Sequence, residues 1–448
     1  MQQTFHILTF GCQMNFNDSF WLERALIERG FIKTDLSKAT VIILNTCSVR
    51  EKPEQKVYNS LRKIAHETRN TKGAFVVVAG CVAQQIGVGF FDKFKQVRLV
   101  SGGDGIGQIP ASITKLFHEP QLKISLIDFS ESYPEREHAL GNALVSPISY
   151  VNIMQGCDNF CAYCIVPYTR GPQKSRSTSA ILEECVELIA KGSKEICLLG
   201  QNVNSFGQDA SGDGTSFANL LYKISALPGL ARLRFMTPHP KDFSPEVIKA
   251  FAELENLCPH VHLPLQAGSN SVLSNMGRKY TKEHFLYLVQ ELRKVRPEMS
   301  FSSDIIVGFP GESEEDFLQT LEMLEQVNFR ASFSFCYSDR PNTKASQLPI
   351  KVDKEVSLDR LQRLQAKQDE LGIAWLKKRE GQDTILLLED ISKKSEAKVG
   401  YAFWQGRDPH GVTVNVCIPE NIAKKGLLLP VRIIEAKRHT LVGEFNTF

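Results

Sequence analysis

Nine short apolar runs, each followed by a segment of helical spacing, constrain this chain more than any other feature. Three open it: FHILTF, TVIILNT and AFVVVAG. Six follow from about residue 148: ISYVNIM, EICLLG, ARLRFMT, HVHLPLQ, FSSDIIVG and ASFSFCYS. They are rich in β-branched or aromatic residues and alternate little. Strands apolar on both sides suit a parallel sheet covered on both faces. Parallel neighbours need crossovers, which the helical segments supply. The fold class is therefore α/β. Residues 1–118 predict a doubly wound parallel-sheet domain, and residues 148–376 a barrel or partial barrel with functional loops at the C-terminal strand ends.

Local signals refine this. Asn17 or Asp18 is placed to cap a first helix with an apolar face of Trp21, Leu22, Ala25 and Leu26, and Gly30 to stop it. Ser313 and Asp316 form a capping-box-like pair, so the acidic GESEEDF reads as a first helical turn rather than a metal site. SGGDGIG lacks the dinucleotide-binding spacing and reads as a turn. Residues 119–147 are polar, contain prolines and read as a linker. After a charged helical connector, residues 377–448 change to short strands split by turns, which predicts a small antiparallel β-barrel.

Composition excludes little. A formal net charge of +3 neither demands nor forbids a polyanionic partner. There is no apolar run long enough to span a membrane and no signal-peptide pattern, so a cytoplasmic protein without a membrane partner is expected. Eleven cysteines are an odd number in a long chain expected in a reducing compartment. Ligation or catalysis is the better reading for those in regular context, and a buried inert thiol for the rest, namely Cys185, Cys197, Cys258, Cys336 and Cys417.

Two sets have regular context. Cys157, Cys161 and Cys164 lie in GCDNFCAYC, which brings three thiols into one loop after a strand. A closed zinc site needs a fourth ligand, and none follows nearby. Three thiolates also suit a cubane iron–sulfur cluster with one open iron. Cys12, Cys47 and Cys81 each follow one of the first three strands, in TFGC, LNTC and VAGC. Strand ends of a doubly wound sheet lie along one edge, so these cysteines, far apart in sequence, can converge.

The CxxxCxxC spacing, with Tyr163 before its third cysteine, resembles the signature of radical S-adenosylmethionine enzymes. The two triads together, with the segments TFGCQMNFNDS, LNTCSVREKPEQKVY, GCDNFCAYCIVPYTRG, LLGQNVNSFG, HLPLQAGS, SSDIIVGFPGESEEDF and FSFCYSDRP, resemble the methylthiotransferase family over nearly the whole chain. The resemblance implies a partial (β/α)6 radical-SAM core and a TRAM-like RNA-binding C-terminal barrel. It implies two [4Fe-4S] clusters, one on each triad, with S-adenosyl-L-methionine on the open iron of the Cys157, Cys161, Cys164 cluster. CQMN and NTCSVRE resemble the branch that methylthiolates C2 of N6-(dimethylallyl)adenosine at tRNA position 37. The branches acting on threonylcarbamoyladenosine or on a ribosomal-protein aspartate are the near alternatives. A zinc-containing, non-catalytic RNA-binding protein is the alternative of another class.

By the same resemblance, Tyr163 lies beside the adenine of the cofactor. Gln201 and Asn202 sit where polar groups hold the methionine end, Gln266 where one reaches the ribose, and Asp304 and Gly308 near the adenine. Strand-end hydrogen bonding is the plain alternative for each, as it is for His239. Arg170 and Arg176, beside the cluster loop, are placed to meet carboxylate or phosphate, or to be solvated. No acid–base side chain is expected to carry the chemistry. The implied partners are tRNA, a low-potential electron donor and a sulfur donor, and a monomer is expected. Two features depart from the family: Asn342 and Lys344 stand where relatives carry Gly and Pro, and residues 380–448 hold nine Lys/Arg against nine Asp/Glu.

Overall fold

The computed structural model describes residues 3–48, 53–136, 145–392 and 400–445. The first unit is a six-stranded parallel sheet. Its strands are β1 (Thr4–Thr9), β2 (Ile32–Lys33), β3 (Val41–Thr46), β4 (Phe75–Gly80), β5 (Val97–Ser101) and β6 (Ile124–Leu126), in spatial order β2-β1-β3-β4-β5-β6. Phe5, Ile43, Val77 and Leu99 pack one face against Leu22, Leu26, Ile109 and Ile113. Ile42, Leu44, Val76 and Val78 pack the other against Val57, Leu61 and Ile64. Cover on both faces is why these runs do not alternate.

The middle unit begins with β7 (Ile148–Asn152) and a two-stranded antiparallel ribbon, β8 (Met154–Gln155) with β9 (Lys174–Ser175), which frames the cysteine loop. Next come β10 (Glu195–Leu199), β11 (Arg232–Phe235), β12 (His260–His262), β13 (Ser300–Val307) and β14 (Ala331–Cys336). Apart from the ribbon, all pairs are parallel, in two groups ordered β11-β10-β7 and β12-β13-β14. Between the groups the Leu233 amide donates to Asn256 O at 2.8 Å, and the Cys258 amide to Leu233 O at 2.9 Å. The result is a partial barrel of six βα units.

Helix Lys354–Lys377 crosses to the last unit, where its final turn places Trp375 and Leu376 against the apolar core. That unit is a closed barrel of β15 (Asp383–Ile391), β16 (Tyr401–Arg407), β17 (Thr413–Pro419), β18 (Leu428–Ala436) and β19 (Leu441–Phe445), ordered β15-β16-β17-β19-β18. The β17–β19 pair is parallel and the others are antiparallel.

Several local expectations change. The first helix spans Gln13–Glu28 and begins after Cys12, so Asn17 and Asp18 lie inside it and cap nothing. Asp18 is instead fully buried beside Arg136 and Arg170, a tertiary contact that no local pattern reveals. Residues 119–147 are not merely a linker, because Ile124–Leu126 supplies β6. Its three residues are too short a run to register as a strand alone. Cys417 points to the outer, half-buried side of β17, and Cys336 is half-buried. Ser313 and Asp316 do form a capping box, with Glu314, Glu315 and Asp316 in the first turn. Asn342 takes a φ of +65°, a left-handed position that asparagine tolerates in place of glycine.

Asp104, in SGGDGIG, joins the first two units. Its buried carboxylate accepts the Ser130 amide at 2.7 Å, the Gln155 side-chain amide and the Lys174 ammonium. Lys174 is 1% exposed. The stretch expected to be a turn is a short 3-10 helix that locks the sheet onto the ribbon framing the cysteine loop.

Candidate functional site

The strand order reverses between β1 and β3, and ligands of doubly wound sheets gather at such a switch point. Cys12 follows β1, Cys47 follows β3 directly, and Cys81 follows the adjacent β4. The sheet thus brings together the ends that carry all three. Gly11 fits this corner because it has no side chain. Its φ is +127°, and a Cβ there would stand 2.4 Å from Cys47 Cβ. Two asparagines brace the corner. Asn15 donates to Asn45 Oδ1 at 2.9 Å and to Thr46 O at 3.0 Å, while Asn45 donates back to Asn15 O at 2.8 Å. The Cys12 thiol donates to Asn15 Oδ1 at 3.3 Å. A hydrogen bond from Cys47 draws the Cys12 thiol down to about 6, against the opposing effect of burial.

The second triad sits in the loop between β8 and β9. At its entry, Gly156 has a φ of +82°, and a Cβ there would lie 1.9 Å from Pro172 O, so only glycine lets the two sides of the loop meet. The Cys157 amide donates to Gly171 O at 3.2 Å, and the Cys164 amide to Cys161 O at 2.9 Å. Phe160 is held at a φ of +47° with its ring half exposed, a strained posture for a bulky residue. Arg278, buried, donates to Cys161 Sγ at 3.6 Å and to Pro264 O at 3.1 Å. Burial pushes the Cys164 thiol up to about 12 and also raises Cys157.

Among the described residues, no three His, Cys, Asp or Glu side chains are drawn in as a metal-ion site. The fit of each triad to a thiolate-ligated group rests on its donors and surroundings. The first has a glycine cradle and, beside it, a buried arginine nitrogen with no nitrogen or oxygen acceptor among the described residues, Arg170 Nη1. The second has Arg278 against one thiol. Both offer positive charge to an anionic group, and the residues present fit one at each site.

The middle of the chain, residues 151–324, matches the Radical SAM superfamily, and residues 4–102 match the uncharacterized protein family UPF0004. Over 442 residues the chain is 58% identical to the tRNA-2-methylthio-N(6)-dimethylallyladenosine synthase of Nitratidesulfovibrio vulgaris strain Hildenborough, covering 99% of this chain and 98% of that one. The chain belongs to the tRNA-2-methylthio-N(6)-dimethylallyladenosine synthase family. Its relative of that name from Lawsonia intracellularis is 56% identical over 454 residues, 99% of each chain. In fold this family member is similar to the radical S-adenosylmethionine methyltransferase TsrM from Kitasatospora setae, with a TM-score of 0.57 at 16% identity over 77% of each chain.

The other expected cofactor residues of this family member divide by what already occupies them. Tyr163 is half-buried beside Cys161, Cys164, Arg278 and Tyr280. Asn202 donates to Asp242 Oδ2 at 2.7 Å, while its buried Oδ1 has no hydrogen-bond partner among the described residues. Gln266 is held at a φ of +69° where β12 gives way to its loop, pairing with Ile305 of β13. Asp304 is one-third exposed, with Oδ2 3.2 Å from His262 Nε2. Gln201 is engaged in structure: its Oε1 accepts the Gly156 amide at 2.6 Å and its Nε2 meets Met14 Sδ, tying the two cysteine loops together. Gly308 donates its amide to Glu312 at 2.7 Å, and a Cβ there would strike Ser357 Oγ at 2.2 Å, so packing explains this glycine.

His239 is buried and accepts the Lys241 amide at 3.1 Å on Nδ1. Burial, then Arg278, Lys241 and Lys279, depress it to about 2, so it is neutral. Arg176 meets carboxylates, but those of this chain: Glu184 at 2.6 Å and Glu135 at 3.2 Å. Sequence reasoning missed Arg278, Asn15, Asn45 and Asp104. Asn15 and Asn45 had a weak signal, each lying within three residues of a triad cysteine.

Proposed function

We propose that this chain methylthiolates C2 of N6-(dimethylallyl)adenosine at position 37 of tRNA. Two three-thiol sites on neighbouring loops, tied by Gln201 to Met14, carry this reading. Full-length identity to synthases of that name supports the substrate. Cys157, Cys161 and Cys164 hold one [4Fe-4S] cluster with S-adenosyl-L-methionine, and Cys12, Cys47 and Cys81 hold a second. When bound, the first supplies the electron that converts the cofactor to a 5′-deoxyadenosyl radical and the second supplies the sulfur. An aromatic C–H lies beyond the reach of any side-chain base at neutral pH, which is why a radical is needed.

The protein's own residues bind and orient. Tyr163 packs beside the thiols, where it can flank the adenine of the cofactor. Asn202 Oδ1, a buried acceptor without a partner among the described residues, is assigned to its amino group, and Gln266 and Asp304 to the ribose and adenine. Arg278 offsets thiolate charge at Cys161. Among the described residues, no helix is long and apolar enough to cross a membrane, and a tRNA substrate places the work in the cytoplasm. The C-terminal barrel is the RNA-binding unit, acting by arrangement of charge rather than by net charge. The reaction also requires a low-potential electron donor and a source that restores the transferred sulfur.

The test is mass spectrometry of tRNA nucleosides from a strain lacking this gene, with and without the gene restored. The 2-methylthio derivative of dimethylallyladenosine should vanish and return. Loss of a methylthiolated threonylcarbamoyladenosine or ribosomal-protein aspartate instead would overturn the substrate assignment.

A further inference from the structure

The helix Val166–Arg170 begins two residues after Cys164 and packs against the helix Cys81–Ile86 of the first unit. Its last residue, Arg170, is 3% exposed. The guanidinium therefore leaves the unit of one triad and enters the unit of the other. There it lies against Cys81, within hydrogen-bonding reach, and close enough to Cys12 to feel its charge. Nη2 stands 3.6 Å from Asp18 Oδ2, and among the described residues Nη1 meets no nitrogen or oxygen acceptor, so the Cys81 thiol is the group it faces. Gly103 makes room for it, since a Cβ at that position would approach Nη1 to 3.0 Å.

Among the described residues the local charges do not balance. Asp18 is shared with Arg136, whose Nη1 lies 2.8 Å from Oδ1. Among the described residues one buried carboxylate thus faces two guanidiniums, of which Arg170 is the more deeply buried and turns its remaining N–H toward the thiols. Buried charges require a partner of opposite sign. Three thiolates holding an iron–sulfur group are such a partner, and Cys81 and Cys12 are the thiols that bear on the guanidinium.

We infer that Arg170 is a positioning residue for the group held by Cys12, Cys47 and Cys81, lending it a positive charge and a spare N–H from the neighbouring domain. This rests on the proposed assignment of those three cysteines as cluster ligands. The first unit supplies the thiolates and the second the counter-charge, so the site is complete only when the two are docked. Loss of Arg170 weakens retention of the group and makes it harder to reduce, because an added electron is no longer offset.

The experiment uses the full chain carrying C157A, C161A and C164A, which leaves the first triad alone. It is reconstituted anaerobically with ferrous iron and sulfide. Iron and acid-labile sulfide are counted, and the midpoint potential is followed by electron paramagnetic resonance. R170M, R170K and D18N are then added singly. R170M should lower the potential and speed iron loss to a chelator by about 10-fold or more. R170K should restore most of the potential. D18N should raise it, because removing a negative charge acts in the opposite direction. Equal potentials for parent and R170M, or D18N and R170M moving the same way, overturn the inference. If R170M does not fold, an unshifted D18N overturns it. A parent that binds no iron overturns the ligand assignment itself, and the inference with it.

Discussion

Replacing Asp104 by alanine should separate the two cysteine sites while leaving each unit folded. Among the described residues, Lys174 Nζ, 1% exposed, would keep Ser130 O at 3.3 Å as its hydrogen-bond acceptor, with the Phe129 ring 5.8 Å away. Removing one partner of a buried ion pair costs about 3–5 kcal/mol. The Ser130 and Gln155 donors would also lose their acceptor, at about 1–3 kcal/mol each. The units can escape this penalty by parting, since water then reaches Lys174. The cost is therefore paid in docking rather than in folding.

At about 3 kcal/mol, the docking equilibrium constant falls by roughly 100-fold. On the proposed assignment methylthiolation needs both triads, so it should fall measurably, by up to that factor. Formation of 5′-deoxyadenosine, which needs only the second, should stay within about twofold. Hydrogen exchange read by mass spectrometry should quicken in peptides spanning 101–108 and 153–157. The double variant D104L/K174M, apolar on both sides, should recover most of the coupling, because replacing a whole buried pair is often close to neutral. Parent-like exchange in D104A, or a double variant as damaged as D104A, would refute the reasoning.

Three further outcomes follow from other parts of the molecule. Changing Cys12, Cys47 and Cys81 to Ala should abolish methylthiolation yet leave some 5′-deoxyadenosine, whereas changing Cys157, Cys161 and Cys164 should stop both, as read by chromatography and nucleoside mass spectrometry. G11A should cost about 1–3 kcal/mol in backbone strain alone and displace Cys47, so that iron bound per chain falls to about half; undiminished iron would contradict the cradle. Burial holds His410 down from 6.5 to about 4, with nearby Arg379 and Arg330 adding to this and Asp408 opposing it. Its neutral form thus adds stability above pH 6.5 that is lost as the pH falls toward 4, about 3 kcal/mol in all. Melting temperatures of H410Q should decline less steeply than those of the parent across that window.

The thiols were legible because their signals are local or periodic. Cys157, Cys161 and Cys164 share one loop, and Cys12, Cys47 and Cys81 repeat one position relative to three strands. The Ser313–Asp316 capping box was legible for the same reason: its two partners are three residues apart. Asp18 was misread as a cap because its side chain is spoken for by Arg136 and Arg170, more than a hundred residues away along the chain. Gly308 and Gln201 were read as cofactor contacts from their strand-end positions. Both also have packing roles that strand-end position does not reveal: Ser357 stands where a Cβ at Gly308 would lie, and Gln201 meets Met14.

By itself, the sequence determined the alternation of strands and helices, three of the six strands of the first sheet, the spacing of the two cysteine sets and the change to a small barrel at the end. Hydrophobic periodicity and loop spacing act over a few residues, so they survive in a string of letters. Only the tertiary structure decided how the units meet. Asp104 closes on Lys174, Arg170 reaches past Cys81 to Asp18, and Asn15 grips Asn45, because burial makes an unpaired charge or amide costly wherever in the chain its partner lies. That cost depends on distance in space and not along the sequence.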